Sequence, residues 1–134
     1  MGKRPEYTAP LAAEGVQNAL RILEGRWKLV ILFQLFGGKV MRFSELERAI
    51  PGISQKMLIQ QLRQMEKDGV VTRIVHHEVP PRVEYHLTEW GQSLCPALDA
   101  LLLWAESAPA EIREGLLGET AQPVPAAFID MPEG

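Results

Sequence analysis

The feature that most constrains the fold is a pair of helical segments joined by a Pro-Gly turn. A short helix is expected to start at Ser44, because Ser44 can cap it and Glu47 three residues later completes a capping box. Pro51-Gly52 then forms the turn. A longer amphipathic helix follows Ser54, a second capping residue, and ends at Gly69. This arrangement is typical of a helix-turn-helix motif.

A β-hairpin is predicted directly after this motif. Residues 70–79 are rich in β-branched side chains, and residues 82–87 alternate between apolar and polar side chains. Pro80-Pro81 separates the two runs. Two such runs around a proline-containing loop indicate a hairpin, and a hairpin in this position is a wing.

Apolar residues at helical spacing predict further helices on both sides of this central region. One lies within residues 12–24, and a second, apolar on most sides and therefore buried, lies within residues 27–36. A last long helix follows Thr88 and is expected to bend at Pro96, and a short helical piece covers residues 112–117. The predicted fold is mainly α with a small β-hairpin, a winged helix-turn-helix with additional terminal helices.

The charge distribution divides the chain into a neutral body and an acidic tail. The net charge is −3, but residues 1–107 contain 13 Lys/Arg against 12 Asp/Glu, and residues 108–134 contain one against five. We therefore expect a flexible arm at 1–11, the winged domain with its dimerisation helices at 12–107, and an acidic, proline-containing extension at 108–134. A neutral body can bind phosphates if its basic residues share a face.

Several functional classes have little support. The chain has no Gly-rich phosphate loop, no nucleophile motif and no paired carboxylates with a histidine, so we expect neither an enzyme nor a cofactor. His76 and His77 are adjacent and point to opposite sides of a strand, which disfavours a metal site. With no secretory signal and no apolar run of the roughly 18 residues that span a bilayer, a cytoplasmic protein without membrane contact is expected.

The predicted helix over residues 54–68 has two chemically different faces. If Leu58 points inward, Leu62 and Met65 lie within about 40° of it, since each residue turns a helix by about 100°. The opposite face has long hydrogen-bond donors and no carboxylate, and consists of Lys56, Gln60, Arg63 and Lys67. Such a face suits the DNA major groove, which admits one helix and offers base-edge acceptors. A merely solvated face is the alternative.

We expect the start of this helix to contact bases, and its flank and the wing to contact the DNA backbone. The predicted base contacts are Gln55, Lys56, Ile59 and Gln60. The other predicted DNA-binding residues are Ser44, Ser54, Arg63, His77 and Arg82. For Arg82, contact with a phosphate or a minor groove competes with an ion pair to Glu84 or Glu78.

Five sequence blocks resemble the conserved segments of HxlR-type regulators. They are residues 19–27 (ALRILEGRW), 42–46 (RFSEL), 51–58 (PGISQKML), 62–69 (LRQMEKDG) and 79–88 (VPPRVEYHLT). The resemblance implies a winged helix-turn-helix that dimerises through its terminal helices and binds operator DNA, repressing or activating nearby genes. Many members have a cysteine just before the first helix. Residues 7–15 contain none, so thiol sensing at that position is not expected.

The partners expected are double-stranded operator DNA and a second copy of the chain. A single small domain cannot bury the apolar stripes of both the first and the last helix. The predicted dimerisation residues are Val16, Leu20, Leu94, Leu98, Leu101 and Leu102. A protein-interaction module that keeps the winged helix without reading DNA is the alternative function.

Two further residue types have open roles. Cys95 is expected to be a small buried residue, and a redox switch is the alternative. Trp27, Trp90 and Trp104 are expected in the core, with a pocket for a small-molecule effector as the alternative.

Overall fold

The structure, a computed structural model, describes residues 6–117, which form seven helices and three short strands. The elements are α1 (Ala9–Ile22), α2 (Lys28–Leu35), β1 (Met41–Arg42), α3 (Phe43–Ala49), α4 (Gln55–Lys67), β2 (Val71–His76), β3 (Arg82–Leu87), α5 (Glu89–Gln92), α6 (Cys95–Glu106) and α7 (Ala110–Leu117). This order confirms the mainly helical fold with a wing that the sequence predicts.

The core lies between α2, the α3–α4 pair and one face of the sheet. The buried residues of α2 and α4 are Ile31, Leu32, Leu35, Leu58, Leu62 and Met65. Ile53, in the turn before α4, is also buried. The predicted inner face of α4 is therefore confirmed, and its position on the core fixes which side chains face outward.

The sheet has three antiparallel strands in the order β1-β3-β2, so the hairpin gains a third strand from the residues before α3. On β1, Met41 lies opposite Tyr85 and Arg42 lies opposite Glu84. On β2, Arg73 lies opposite Tyr85. Because directly opposed residues share a face and Tyr85 is buried, Arg73 lies on the core side of the sheet.

The predicted cap of α3 at Ser44 with Glu47 is wrong. The helix begins at Phe43, with Arg42 as its N-terminal cap. The Arg42 backbone N–H donates to Glu45 Oε1 at 2.7 Å, so Glu45 supplies the carboxylate. The physical reason is the pairing of β1 with β3, which keeps Arg42 extended and starts the helix immediately after it.

The predicted single, bent helix after Thr88 is also wrong, because the structure has two helices there. The Thr88 hydroxyl caps α5 by accepting from the Gly91 N–H at 3.0 Å, and α5 ends at Gln92. A turn at Ser93-Leu94 precedes α6. Pro96 lies in the first turn of α6, where its missing N–H is not needed, so it starts a new helix instead of bending an existing one.

The first helix is distinguished by its exposure. It begins at Ala9, capped by the Thr8 hydroxyl, and thus includes three residues that the sequence analysis assigns to the arm. None of its residues is buried in the single chain. None of the helices within residues 6–117 has the length and apolar character needed to cross a membrane.

Candidate nucleic-acid interface

The outer face of α4 is exposed along its whole length. Ser54 Oγ accepts from the Met57 N–H at 3.0 Å and so caps the helix at the predicted residue. The outer-face side chains Lys56, Gln60, Arg63 and Lys67 are all exposed. A helix fixed to the core by Leu58, Leu62 and Met65 presents these donors on a rigid support, which suits hydrogen bonding to base edges.

The four predicted base-contacting residues separate into two positions on α4. Lys56 and Gln60 belong to the outer face. Gln55 and Ile59 lie on the flank of α4 that faces the sheet, where Ile59 is half-buried.

A groove separates this flank of α4 from the sheet. Its cavity of about 430 Å³ is lined by Phe43, Gln55, Ile59, Arg63, Glu66, Arg73, Val83 and Tyr85, and we call it the helix–sheet groove. Arg63 and Arg73 bring two guanidinium groups to a largely apolar floor. Arg73 is absent from the residues that the sequence analysis singles out. The alternation of β2 places it on the same side as the buried Val71, and that pattern could have identified it.

The wing carries a cluster of charged groups. His76 Nε2 lies 2.6 Å from Glu84 Oε1 across the hairpin. Arg82 Nε lies 3.5 Å from Glu78 Oε1 and 3.8 Å from Glu84 Oε2. Both ion pairs that the sequence offers for Arg82 are therefore formed at Nε, and neither contact is a hydrogen bond.

Ser44 and Arg82, two residues predicted to contact the DNA backbone, line one concavity. It has a volume of about 530 Å³, lies between the start of α3 and the wing, and also includes Arg42. His77 is exposed in the loop after β2, outside this concavity.

The predicted dimerisation residues differ in exposure. Val16 and Leu20 on α1 are 59% and 52% exposed, and Leu101 on α6 is 53% exposed. Leu102 is partly buried. Leu94 packs against the core and Leu98 is buried in it, so these two already contribute to the single chain.

The three tryptophans do not share one cavity. The predicted core position is wrong for Trp90 and Trp104, which are 58% and 67% exposed, whereas Trp27 packs against the core. Trp90 also lines an apolar crevice of about 140 Å³ between α1 and α5.

Cys95 is buried at the start of α6, where Sγ lies 3.9 Å from Asp99 Oδ2. Burial raises the pKa of the Cys95 thiol, and the charge of Asp99 and its hydrogen bond raise it further. The protonated thiol is the less nucleophilic form.

We expect iodoacetamide to label Cys95 in the folded protein at least about tenfold more slowly than an exposed cysteine peptide at pH 7.5, because both access and the thiolate fraction are reduced. Mass spectrometry of timed samples measures the rate, and the urea-unfolded chain serves as control. Labelling of the folded protein at the peptide's rate would contradict the buried, protonated state.

Comparison with known proteins assigns the chain to a family. The model of the HxlR-like helix-turn-helix family matches residues 22–112. The chain belongs to this family. Among its relatives, the HTH-type transcriptional regulator YtcD of Bacillus subtilis is 54% identical over 89 residues, which are 66% of this chain and 70% of YtcD. An HTH-type regulator of Methanothermobacter thermautotrophicus is 50% identical over 91 residues, which are 68% of this chain and 69% of that protein.

Solved structures of regulators described as MarR-family share the fold. A MarR-family regulator from Enterococcus faecalis superposes with a TM-score of 0.69 and 40% identity, covering 79% of this chain and 93% of the other. The segment that matches the family model, residues 22–112, includes the α3–α4 pair and the wing.

Proposed function

We propose that this chain is a DNA-binding transcriptional regulator, a homodimer that reads a palindromic operator. The observation that carries the proposal is the outer face of α4, which presents four exposed hydrogen-bond donors. The helix is packed firmly on the core, and the chain belongs to a helix-turn-helix family. α4 enters the major groove, and the wing contacts the neighbouring backbone or minor groove.

On α4, Lys56 and Gln60 are the groups best placed to contact base edges. A Gln side chain pairs bidentately with adenine, and Lys donates to the acceptors of guanine. Gln55 and Ile59 lie one turn apart beside them, and the Ile59 side chain contacts a thymine methyl group.

Arg63, Ser44, Arg82 and His77 act on the sugar–phosphate backbone. Such contacts position a protein on the duplex without carrying sequence information. Because the carboxylates of Glu78 and Glu84 lie near Nε of Arg82, its two terminal nitrogens remain to donate to a phosphate.

The dimer forms through α1 and α6. Val16, Leu20 and Leu101 are more than half exposed in the single chain, an apolar exposure that a second copy would cover. A two-fold dimer presents two copies of α4 about 34 Å apart, one turn of DNA, and therefore requires a palindrome.

The test is selection from random duplexes, followed by salt titration of the enriched sequence. An enriched palindrome, with affinity falling steeply as salt rises, supports the proposal. Weak binding without enrichment would instead favour a winged helix that binds protein partners. The ion pair of Arg82 with Glu78 and the near-neutral charge of residues 1–107 are the arguments for that alternative.

Gln60→Ala and Arg82→Ala should have different effects on the selected operator. We expect Gln60→Ala to relax the preference at one base pair by about 1–3 kcal/mol, and Arg82→Ala to weaken binding about equally on matched and mismatched sequences. Competition binding with single-base operator variants measures both. A changed base preference in Arg82→Ala would show that Arg82 reads bases.

A further inference from the structure

The width of the DNA major groove brings a DNA strand close to the helix–sheet groove. The major groove is about 12 Å wide, and an α-helix with its side chains is about 10–12 Å across. A helix in that groove therefore has a sugar–phosphate strand against each flank. The sheet stands beside one flank of α4, so the strand on that side would run along the opening of the helix–sheet groove.

The side chains of the helix–sheet groove match the chemistry of such a strand. Arg63 enters from α4 and Arg73 from β2, and both are exposed. Within residues 6–117 neither guanidinium forms an ion pair, in contrast to Arg82, which has two carboxylates near it. The floor at Phe43 and Val83 is apolar and suits the deoxyribose rings.

We propose that the helix–sheet groove is a phosphodiester-binding site, and that Arg73 is a DNA-backbone contact acting with Arg63 from the opposite wall. The inference rests on the proposed function, because it requires α4 in the major groove. It adds a residue of the sheet to the interface and accounts for a basic side chain on the core side of a strand, where apolar ones are the rule.

Glu66 gives this groove a second, opposite effect. Its carboxylate lies on the same wall as Arg63, toward the end of α4, and is exposed. A carboxylate beside a phosphodiester weakens binding through like-charge repulsion. The residue therefore lowers affinity without favouring any sequence.

Arg73→Ala is the decisive variant, measured as operator affinity between 50 and 200 mM salt. Each lost phosphate contact should reduce the slope of log K against log salt by about 0.9, so the dimer should lose about 1.8. Affinity should fall about tenfold or more, equally on matched and mismatched duplexes. Arg113→Ala on α7 is the matched control, since it removes an exposed arginine outside the groove.

Glu66→Gln is expected to increase DNA affinity, a change that a loss of folding could not produce. We expect it to tighten binding about two- to fivefold at low salt, with less effect at high salt because screening weakens the repulsion.

Operator selection with the wild-type chain separates failure of the proposed function from failure of the phosphodiester site. If the wild type enriches no duplex, the proposed function fails. If it enriches a palindrome while Arg73→Ala keeps its affinity and slope, the phosphodiester site alone is overturned.

Discussion

Replacing Leu20 with glutamate is expected to convert the dimer into monomers and to weaken operator binding by about a hundredfold or more. Leu20 is 52% exposed in the last turn of α1, a helix with no residue buried in its own chain. A carboxylate there would be buried against a second copy without a partner charge, which is strongly unfavourable. A monomer engages one half-site and loses the gain of two linked contacts, about 10²–10⁴ in affinity.

Light scattering and operator titration measure the two consequences separately. Asn18→Glu is the matched control, because it adds the same charge to the same helix about 160° away from Leu20. We expect it to stay dimeric. A Leu20→Glu protein that remains dimeric and keeps its affinity would exclude α1 from the interface.

Gly91→Ala is expected to lower the free energy of unfolding by about 3 kcal/mol. A Cβ at position 91 would lie 2.3 Å from the backbone oxygen of Val70. That oxygen also accepts from the Thr88 N–H at 3.0 Å, so it is held in place by the junction between sheet and helix. The backbone of α5 must therefore move away from Val70, which disturbs both the buried contact between them and the cap of α5.

Thermal unfolding monitored by circular dichroism checks this expectation, with a fall in Tm of about 10 °C. Gly115→Ala in α7 is the control of opposite sign. Its Cβ would meet nothing within 4 Å, and alanine is favoured over glycine inside a helix by about 0.5–1 kcal/mol. Equal stability of Gly91→Ala and wild type would show that α5 can move away from the sheet at little cost.

The parts of the fold that depend on local signals are predictable from the sequence. α4 is the clearest case: Ser54 caps it, Leu58 and Leu62 define its inner face, and Gly69 follows its end with a φ of 81°. Caps, periodicity and glycine conformation all act within a few residues. They therefore determine the helix without knowledge of its neighbours.

The parts that depend on distant contacts are not predictable in this way. The start of α3 is set by β1 pairing with Tyr85 and Glu84, more than 40 residues later. A strand of only two residues has no sequence pattern that would identify the strand with which it pairs. The helix–sheet groove has the same origin, since it brings Arg63 and Arg73 together from separate elements. The predicted contacts of Gln60 and Arg82 with DNA stay predictions, because they require a bound duplex.

The absence of buried residues in α1 has a consequence for gene dosage. A 14-residue helix is marginal on its own, and in its own chain α1 packs against the core through Ile22 at its end. A second chain is therefore expected to supply most of the contacts that stabilise α1. If the DNA-binding form is the proposed dimer, its concentration rises with the square of the chain concentration when monomers predominate. Halving expression would remove about three quarters of the active form. Control of the target genes would respond more steeply to the amount of regulator than a monomeric reader allows.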